Sequence, residues 1–457
     1  MTRSVINPLG WIVGLILCTT FIPCAIAQDA KDSKISVSLV EDNTDERTFE
    51  VKARVAITGD FLTAAKDGAV KLKVESTAAY DFHERRIVGT GKGAEAYRTI
   101  RDYSGAEANA VVDTRKTNTK LNGSLRRLVA QGQPSGIEFF STTHHMSRQD
   151  VDLLSMPGDT LPVMGLLPPG NVEQGESWDP PLWAVQSLTG VEAMLKNDLK
   201  CRLRSYTTAG AAITFQGSVE GAVHGATTEI AVNGSLTFDR RQNMITHFNM
   251  SQKEKRSVGT VSPGMDIVAK VTWDRKPVKQ GRIMDKFVTS VPLIPDTTSA
   301  LLSYRTPWGV TFQHDRNWHL FHQTPELCIL RLVESGGLVA QLNVSKVIDS
   351  APGEFTPEEQ FQDDIREALG ERLTKIEKAE LVKRKDALRI YRVVASGAVG
   401  EQKMKWFYYL STAPSGKQTA FVFSVGAAQL EKLTNRDLGI ASSISFGPSG
   451  QIARSPK

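Results

Sequence analysis

The sequence predicts an α+β protein. A large N-terminal antiparallel β sheet or half-barrel with a lid precedes a C-terminal antiparallel sheet sandwiched by helices. Three observations predict this: strict apolar/polar alternation over residues 35–275, a proline-rich, tryptophan-bearing passage that interrupts it, and nearly continuous apolar runs beside amphipathic helical segments beyond residue 298. Alternation with period two marks strands that are packed on one face and wet on the other, the antiparallel case. Runs that are apolar on both phases need cover on both faces.

Residues 1–27 read as a secretory signal peptide. Arg3 supplies the positive start, residues 9–22 form an apolar stretch broken by Thr19 and Thr20, and Ala25-Ile26-Ala27 gives a small-x-small cleavage pattern. The stretch is shorter than the ~20 apolar residues of a spanning helix. Cleavage at Ala27-Gln28 then predicts a secreted or periplasmic chain that is not an integral membrane protein. Pro23 before Cys24 argues against a lipoprotein signal.

Residues 28–275 form the predicted β-rich domain. Phe49, Val51, Ala53, Val55 and Ile57 share one phase, as do Val70, Leu72 and Val74; Ile230, Val232, Leu236 and Phe238; and Ile267, Ala269, Val271 and Trp273. Several runs exceed the usual strand length of about 5–6 residues, which predicts a large curved sheet. Near the middle, Ser147-Arg148-Gln149-Asp150 opens a short helix, and Pro157, Pro162, Pro168, Pro169, Pro180 and Pro181 follow. Proline removes a ladder donor, so the passage reads as a loop-and-helix lid. Its Trp178, Trp183, Leu166 and Leu167 need an apolar surface and are the candidate ligand-binding residues.

Residues 276–297 read as a linker, 298–447 as the second domain and 448–457 as a tail. Runs at 404–410 and 420–425 are apolar on both phases. Thr356-Pro357-Glu358-Glu359 predicts a capping box opening a helix with Phe361, Ile365, Ala368 and Leu369 on one face. A second helix is expected over about 427–438, with Leu430 and Leu433 inward.

Three stretches of the second domain carry a resemblance: Trp308-Gly309-Val310-Thr311-Phe312, Asp315-Arg316-Asn317-Trp318 and the closing Ile440-Ala441-Ser442-Ser443-Ile444-Ser445-Phe446. Residues 298–447 resemble the PsbP-like fold, which implies a binding or scaffolding role and no catalysis. Leu167-Pro168-Pro169-Gly170, Val172, Gly175-Glu176-Ser177-Trp178, Gly234 and Phe238-Asp239 look like a family of uncharacterised bacterial exported proteins. The long-stranded pattern is similar in architecture to lipoprotein carriers of the LolA type, whose lidded half-barrel holds acyl chains. Fold analogy does not transfer function.

Composition sets further bounds. The chain has 457 residues, 40% hydrophobic and 23% charged, with 36 glycines and 20 prolines. These globular proportions exclude wholesale disorder, collagen and coiled-coil fibres. The formal charge of +5, or +4 once Arg3 leaves with the leader, calls for no nucleic-acid partner. Cys18 and Cys24 also leave with the leader, and Cys201 and Cys328 sit on apolar strand phases, as buried free thiols do.

No catalytic motif stands out. There is no GxSxG nucleophile elbow. Gly89-Thr90-Gly91-Lys92-Gly93 lacks the preceding glycine and following hydroxyl of a P-loop and reads as a turn, and His83-Glu84-Arg85-Arg86-Ile87 lacks the second zincin histidine. His314, His319 and His322 are the most metal-like group, yet strand spacing points the last two to opposite faces, as it does His144 and His145. No metal, cofactor or catalytic residue is therefore expected. The basic doublets Arg85-Arg86, Arg126-Arg127 and Arg240-Arg241 read as a charged wet sheet face, and Trp406, Phe407, Tyr408 and Tyr409 as core split between two faces. The expectation is an exported, non-enzymatic protein that binds an apolar ligand such as a lipid, or a protein partner, through its β-rich domain. A structural scaffold in a cell-envelope complex and a hydrolase of unrecognised type are the alternatives.

Overall fold

The computed structural model describes residues 36–447 except 66 and 67. The signal-peptide and tail readings lie outside these residues. The chain runs through β1 (Ser36–Val37), β2 (Thr48–Ala65), β3 (Gly68–Arg86), β4 (Arg98–Val112), β5 (Arg115–Lys120), β6 (Arg127–Gln133) and β7 (Gly136–Phe140). A helical insertion follows: α1 (Arg148–Leu154), α2 (Thr160–Val163), the short strands β8 (Val172–Glu173) and β9 (Ser177–Trp178), and α3 (Leu182–Thr189). Strands resume as β10 (Ala193–Asn197), β11 (Lys200–Tyr206), β12 (Gly210–Val223), β13 (Ala226–Asp239), β14 (Met244–Arg256) and β15 (Gly264–Pro277).

Thirteen of these strands form one antiparallel sheet in the order β7-β6-β4-β3-β2-β15-β14-β13-β12-β11-β9, with β5 beside β4 and β10 beside β12. The sheet is open, because its ends, β7 and β9, do not pair with each other. Alternation explains its two faces. Phe49, Val51 and Ala53 are fully buried and Ile230 nearly so, whereas Lys52, Arg54 and Lys270 face water. Each buried aliphatic or aromatic side chain contributes about 1.5–3 kcal/mol. We call the buried face the inner face.

The helical insertion packs on the inner face. Leu161, Val163, Met164, Leu166 and Leu188 join one apolar cluster with Val51, Phe82, Phe215, Phe248 and Trp273. The Ser147/Asp150 capping box starts α1 where the sequence places a helix. Two directional bonds fix the insertion: Tyr80 Oη donates to Leu153 O at 2.8 Å and Trp273 Nε1 donates to Gly158 O at 2.9 Å.

β15 runs two residues into the expected linker. The segment after it holds α4 (Asp285–Val288) and is tied to the sheet by Arg85–Asp285 at 2.5 Å and by Arg98 Nη2 donating to Pro292 O at 2.8 Å. Then come β16 (Leu302–Arg305), β17 (Thr311–His314), β18 (Trp318–Gln323), β19 (Leu327–Glu334), β20 (Gly337–Lys346), α5 (Glu358–Leu369), β21 (Leu373–Leu381), β22 (Arg389–Val399), β23 (Gln402–Thr412), β24 (Gln418–Gly426), α6 (Leu430–Leu433) and α7 (Arg436–Ser442). Seven of these strands form a second antiparallel sheet, β18-β19-β20-β24-β23-β22-β21. Trp406, Tyr408 and Leu410 pack with Phe361, Ile365 and Leu369 of α5, while Phe407 and Tyr409 pack with Leu433, Ile440 and Ala441. Successive side chains of one strand thus serve opposite cores.

Two local expectations need correction. Thr356 does not cap α5: its hydroxyl is hydrogen-bonded to Gln418 Oε1 at 3.1 Å, and Pro357 occupies the N-cap without a side-chain bond. The closing helix is not continuous. Thr434 breaks it at φ 51°, ψ −129°, the conformation Gly370 takes at the end of α5 (φ 52°, ψ −129°). That region strongly favours glycine.

Candidate functional site

The four candidate residues of the proline-rich passage come together, and they do so as packing. Leu166 is fully buried, and its carbonyl accepts a hydrogen bond from Trp178 Nε1 at 3.1 Å. Trp178 is held in the ladder opposite Cys201, and Leu167 packs against the same core. The Trp183 ring lies 5.0 Å from that of Tyr97. A Cβ on Gly165 would fall 2.8 Å from Trp183 Cη2, so the glycine is what admits the indole.

Beneath the insertion lies a feature that sequence reasoning missed, a chain of buried ion pairs. Arg101 of β4 reaches Asp159 through two hydrogen bonds of 2.7 and 2.5 Å and approaches Glu84 at 3.6 Å. Thr160 Oγ1 accepts from Arg101 at 3.0 Å and donates to Glu84 at 2.7 Å. Arg275 of β15 meets Glu84 at 3.4 Å and also pairs with Glu41, which in turn pairs with Arg86. All six charged side chains are buried, and the three acids balance the three arginines. Burial pushes the Glu41 carboxyl up, but Arg275 and Arg86 outweigh it and hold it below the ordinary range. The reading of Arg85-Arg86 as a wet face is therefore wrong for Arg86, 3% exposed, because β3 keeps it on the phase of Tyr80 and Phe82. Asp102, fully buried, takes Arg126 and Arg127 at 2.8 Å each and Arg282 at 3.3 Å.

An open cleft of about 850 Å³ lies where the two sheets meet. Its apolar lining includes Ala108 of β4, Leu153 of α1, Val261 of the β14–β15 loop and Leu320 of β18. Its ionisable lining includes Arg148 and Asp152 of α1, His224 of the β12–β13 turn and His319 of β18. A neighbouring cleft of about 720 Å³ shares Arg148, His224 and His319 and adds Glu192.

Local structure positions each group. His224 and Gly225 both have positive φ, 48° and 78°, as a two-residue I′ hairpin turn requires. The turn thus thrusts the imidazole from the sheet end. Glu192 grips it twice, accepting from His224 N at 2.8 Å and pairing with Nε2 at 3.0 Å. The His224 ring lies 4.5 Å from the His319 ring, with 59° between planes. Ser335-Gly336 forms an equivalent turn between β19 and β20 (φ 48° and 76°), and a Cβ on Gly225 would collide with the Gly336 carbonyl. The two hairpin tips touch backbone to backbone. Arg148 donates to the carbonyls of Arg316 and Trp318, and Arg331 to Thr260 O at 2.7 Å, fixing the cleft walls.

The electrostatics follow from enclosure. Burial lowers His319 to about 3, with Arg148 and His224 adding to the effect. Burial raises Asp152 against the opposing pull of Arg148 and His224. Glu192 is raised by burial but held below its ordinary range by the hydrogen bond and charge of His224. Tyr304 donates to Gln323 Oε1 at 2.6 Å and lies 3.1 Å from Cys328 Sγ. Cys201 and Cys328 are both buried and free.

The histidines singled out by sequence do not assemble. His314 is buried with Nδ1 2.7 Å from Asp315 O, His319 faces the cleft, and His322 is exposed. Among the described residues no group of three His, Cys, Asp or Glu side chains could hold a metal ion. No hydroxyl or thiol is hydrogen-bonded to either imidazole of the cleft among those residues. No described helix is long and apolar enough to cross a membrane.

No family model and no curated protein matches the chain. Among solved structures it is similar to a lipovitellin described for its lipid–protein interactions, at 9% identity and TM-score 0.30, covering 53% of this chain and 26% of that one. The chain thus spans about a quarter of that protein's length. It is also similar to the translocator domain of the autotransporter NalP from Neisseria meningitidis (7% identity, 84% and 89% covered, TM-score 0.13). A third likeness is OccAB4 of Acinetobacter baumannii (7% identity, 84% and 98% covered, TM-score 0.12). TM-scores of this size carry no conclusion about this chain.

Proposed function

We propose that the chain is an exported, non-enzymatic binding protein that takes an amphipathic ligand, an acyl chain with an ionised head, in the cleft between its sheets. One observation carries the reading: a single cleft is lined both by apolar side chains, Ala108, Leu153, Val261 and Leu320, and by the ionisable groups Arg148, Asp152, His224 and His319. The volume of about 850 Å³ suits a small molecule, for which sites span roughly 300–1,000 Å³. In this reading the helical insertion is a fixed lid on a half-barrel. Its underside is filled by Leu161, Val163 and Leu166, and the ligand lies beside it. A second reading, a scaffold subunit of a cell-envelope complex, draws on the edge strand β18, which presents Leu320 (40% exposed) and Phe321 (49% exposed).

Displacement of a fluorescent fatty acid by dodecanoate tests the proposal on the full mature chain. Saturable binding is expected at neutral pH. Leu320→Asp and Ala108→Glu are each expected to weaken it at least tenfold, since one leucine contact is worth about 1.5 kcal/mol or more. Both positions retain solvent exposure, so the fold should survive. Absence of binding up to about 1 mM, which caps affinity near 4 kcal/mol, or binding untouched by both variants, contradicts the proposal. Stable capture of an envelope protein through β18, lost in Phe321→Asp, would favour the scaffold.

A further inference from the structure

Beside the hairpin-tip contact two imidazole rings, one from each sheet, meet at the cleft. His224 belongs to the first sheet and His319 to the second, and their rings meet at 4.5 Å. Gly225 and Gly336 let the tips close without an intervening side chain. We infer that this contact is an acid-released latch: a proton taken up by His319 parts the two hairpin tips and opens the cleft. The consequence for a ligand rests on the proposed binding function, whereas the opening itself does not.

The charges around His319 set the sign. Arg148 of α1, His224 of the β12–β13 turn and His314 of β17 oppose its protonation, and Glu192, just before β10, favours it. Glu192 is already engaged by the His224 ring and backbone. Asp152 faces Arg148 and His224. Arg331, opposite His319 in the ladder, lies over the Phe321 ring. Arg316 and Glu334 line the adjoining cleft, with Arg316 facing Glu138 at 3.2 Å and Glu334 facing Arg436 at 2.5 Å. An imidazolium at His319 would therefore sit beside Arg148 and His224, with Glu192 already engaged by His224 and Asp152 the remaining carboxylate of the cleft.

Enclosure holds His319 at about 3, whereas an imidazole returned to water titrates near its ordinary value of 6.5. At His319 the closed form binds fewer protons than the open form, an effect that the raised Asp152 opposes in part. Closure is thus fully favoured above 6.5 and lost progressively as pH falls toward 3. From His319 alone, the ratio of open to closed molecules at pH 5 rises about 25-fold over pH 7.

Double electron–electron resonance on the ligand-free mature chain reads the opening directly. Spin labels at Lys196→Cys on β10 and Glu326→Cys in the β18–β19 turn fall on exposed positions, one on each side of the contact, and Cys201 and Cys328 are buried away from the label. The expected result is one distance at pH 7.5, a growing longer distance at pH 5, and loss of this response in His319→Gln. His319→Asn serves as a second neutral replacement should the glutamine variant fold poorly. An unchanged distance distribution at pH 5 in the parent, or an equal response in both neutral variants, overturns the latch. Acid opening in a protein that binds no fatty acid at either pH would support the latch and reject the binding function. Acid loss of probe affinity at constant distance would do the reverse.

Discussion

Asp159→Ala is expected to destabilise the protein by about 3–5 kcal/mol, the usual cost of leaving one partner of a buried ion pair uncompensated. Arg101 is 1% exposed, and its two shortest bonds, 2.7 and 2.5 Å, both go to Asp159. Its other acid, Glu84, is shared with Arg275. Removing Asp159 therefore leaves three buried arginines against two carboxylates. The substitution also removes the cap that Asp159 provides to Leu161 N at 3.0 Å, worth about 1 kcal/mol. Asp159→Asn keeps one acceptor and turns the other oxygen into an NH2 group that faces an Arg101 donor, so it should recover only part of the alanine loss. A urea midpoint measured at constant slope checks this. A loss below about 1 kcal/mol would mean that water reaches Arg101 and that the ion pairs do not fasten the insertion.

Trp273→Ala is expected to cost about 3–5 kcal/mol, the range for an aromatic deleted from a core. The indole is 1% exposed, stacks on Phe248 with centroids 5.3 Å apart, and bonds to Gly158 O. That carbonyl belongs to the insertion, so the tryptophan links sheet and insertion by both packing and a directed bond. Trp273→Phe retains most of the packing and strands the Gly158 carbonyl. It should cost about 1–3 kcal/mol, the penalty of an unsatisfied buried group. Equal losses for the two variants would show that packing contributes little there.

Much of the sheet was legible because the inner face of its long strands is largely apolar. Phe49 to Ile57 and Ile230 to Phe238 repeat with period two, and nothing local competes with that signal. The buried ion pairs obey the same geometry but defeat the rule that charge means water. Glu84 and Arg86 continue the phase of Tyr80 and Phe82, and Arg275 continues the phase of Trp273. Their partners come from far along the chain: Asp159 lies 58 residues from Arg101 and Glu41 lies 234 from Arg275. A charged residue on an apolar phase was the available signal, and only the fold names its counter-ion. The cleft was hidden for the same reason. His224-Gly225 between two alternating runs marks a hairpin tip, but the opposing tip at Ser335-Gly336 is set by packing between sheets. The break at Thr434 escaped because threonine rarely takes that backbone conformation, so no local residue announces it.

The central claim, a ligand seated between the sheets, is tested most directly by photo-cross-linking with a diazirine-bearing dodecanoic acid on the full chain at neutral pH. Adducts are predicted on α1 near Leu153, on the loop carrying Val261 and on β18 near Leu320, all suppressed by excess dodecanoate. Adducts confined to the underside of the insertion around Leu166 and Trp178, or scattered adducts that dodecanoate does not suppress, would contradict it.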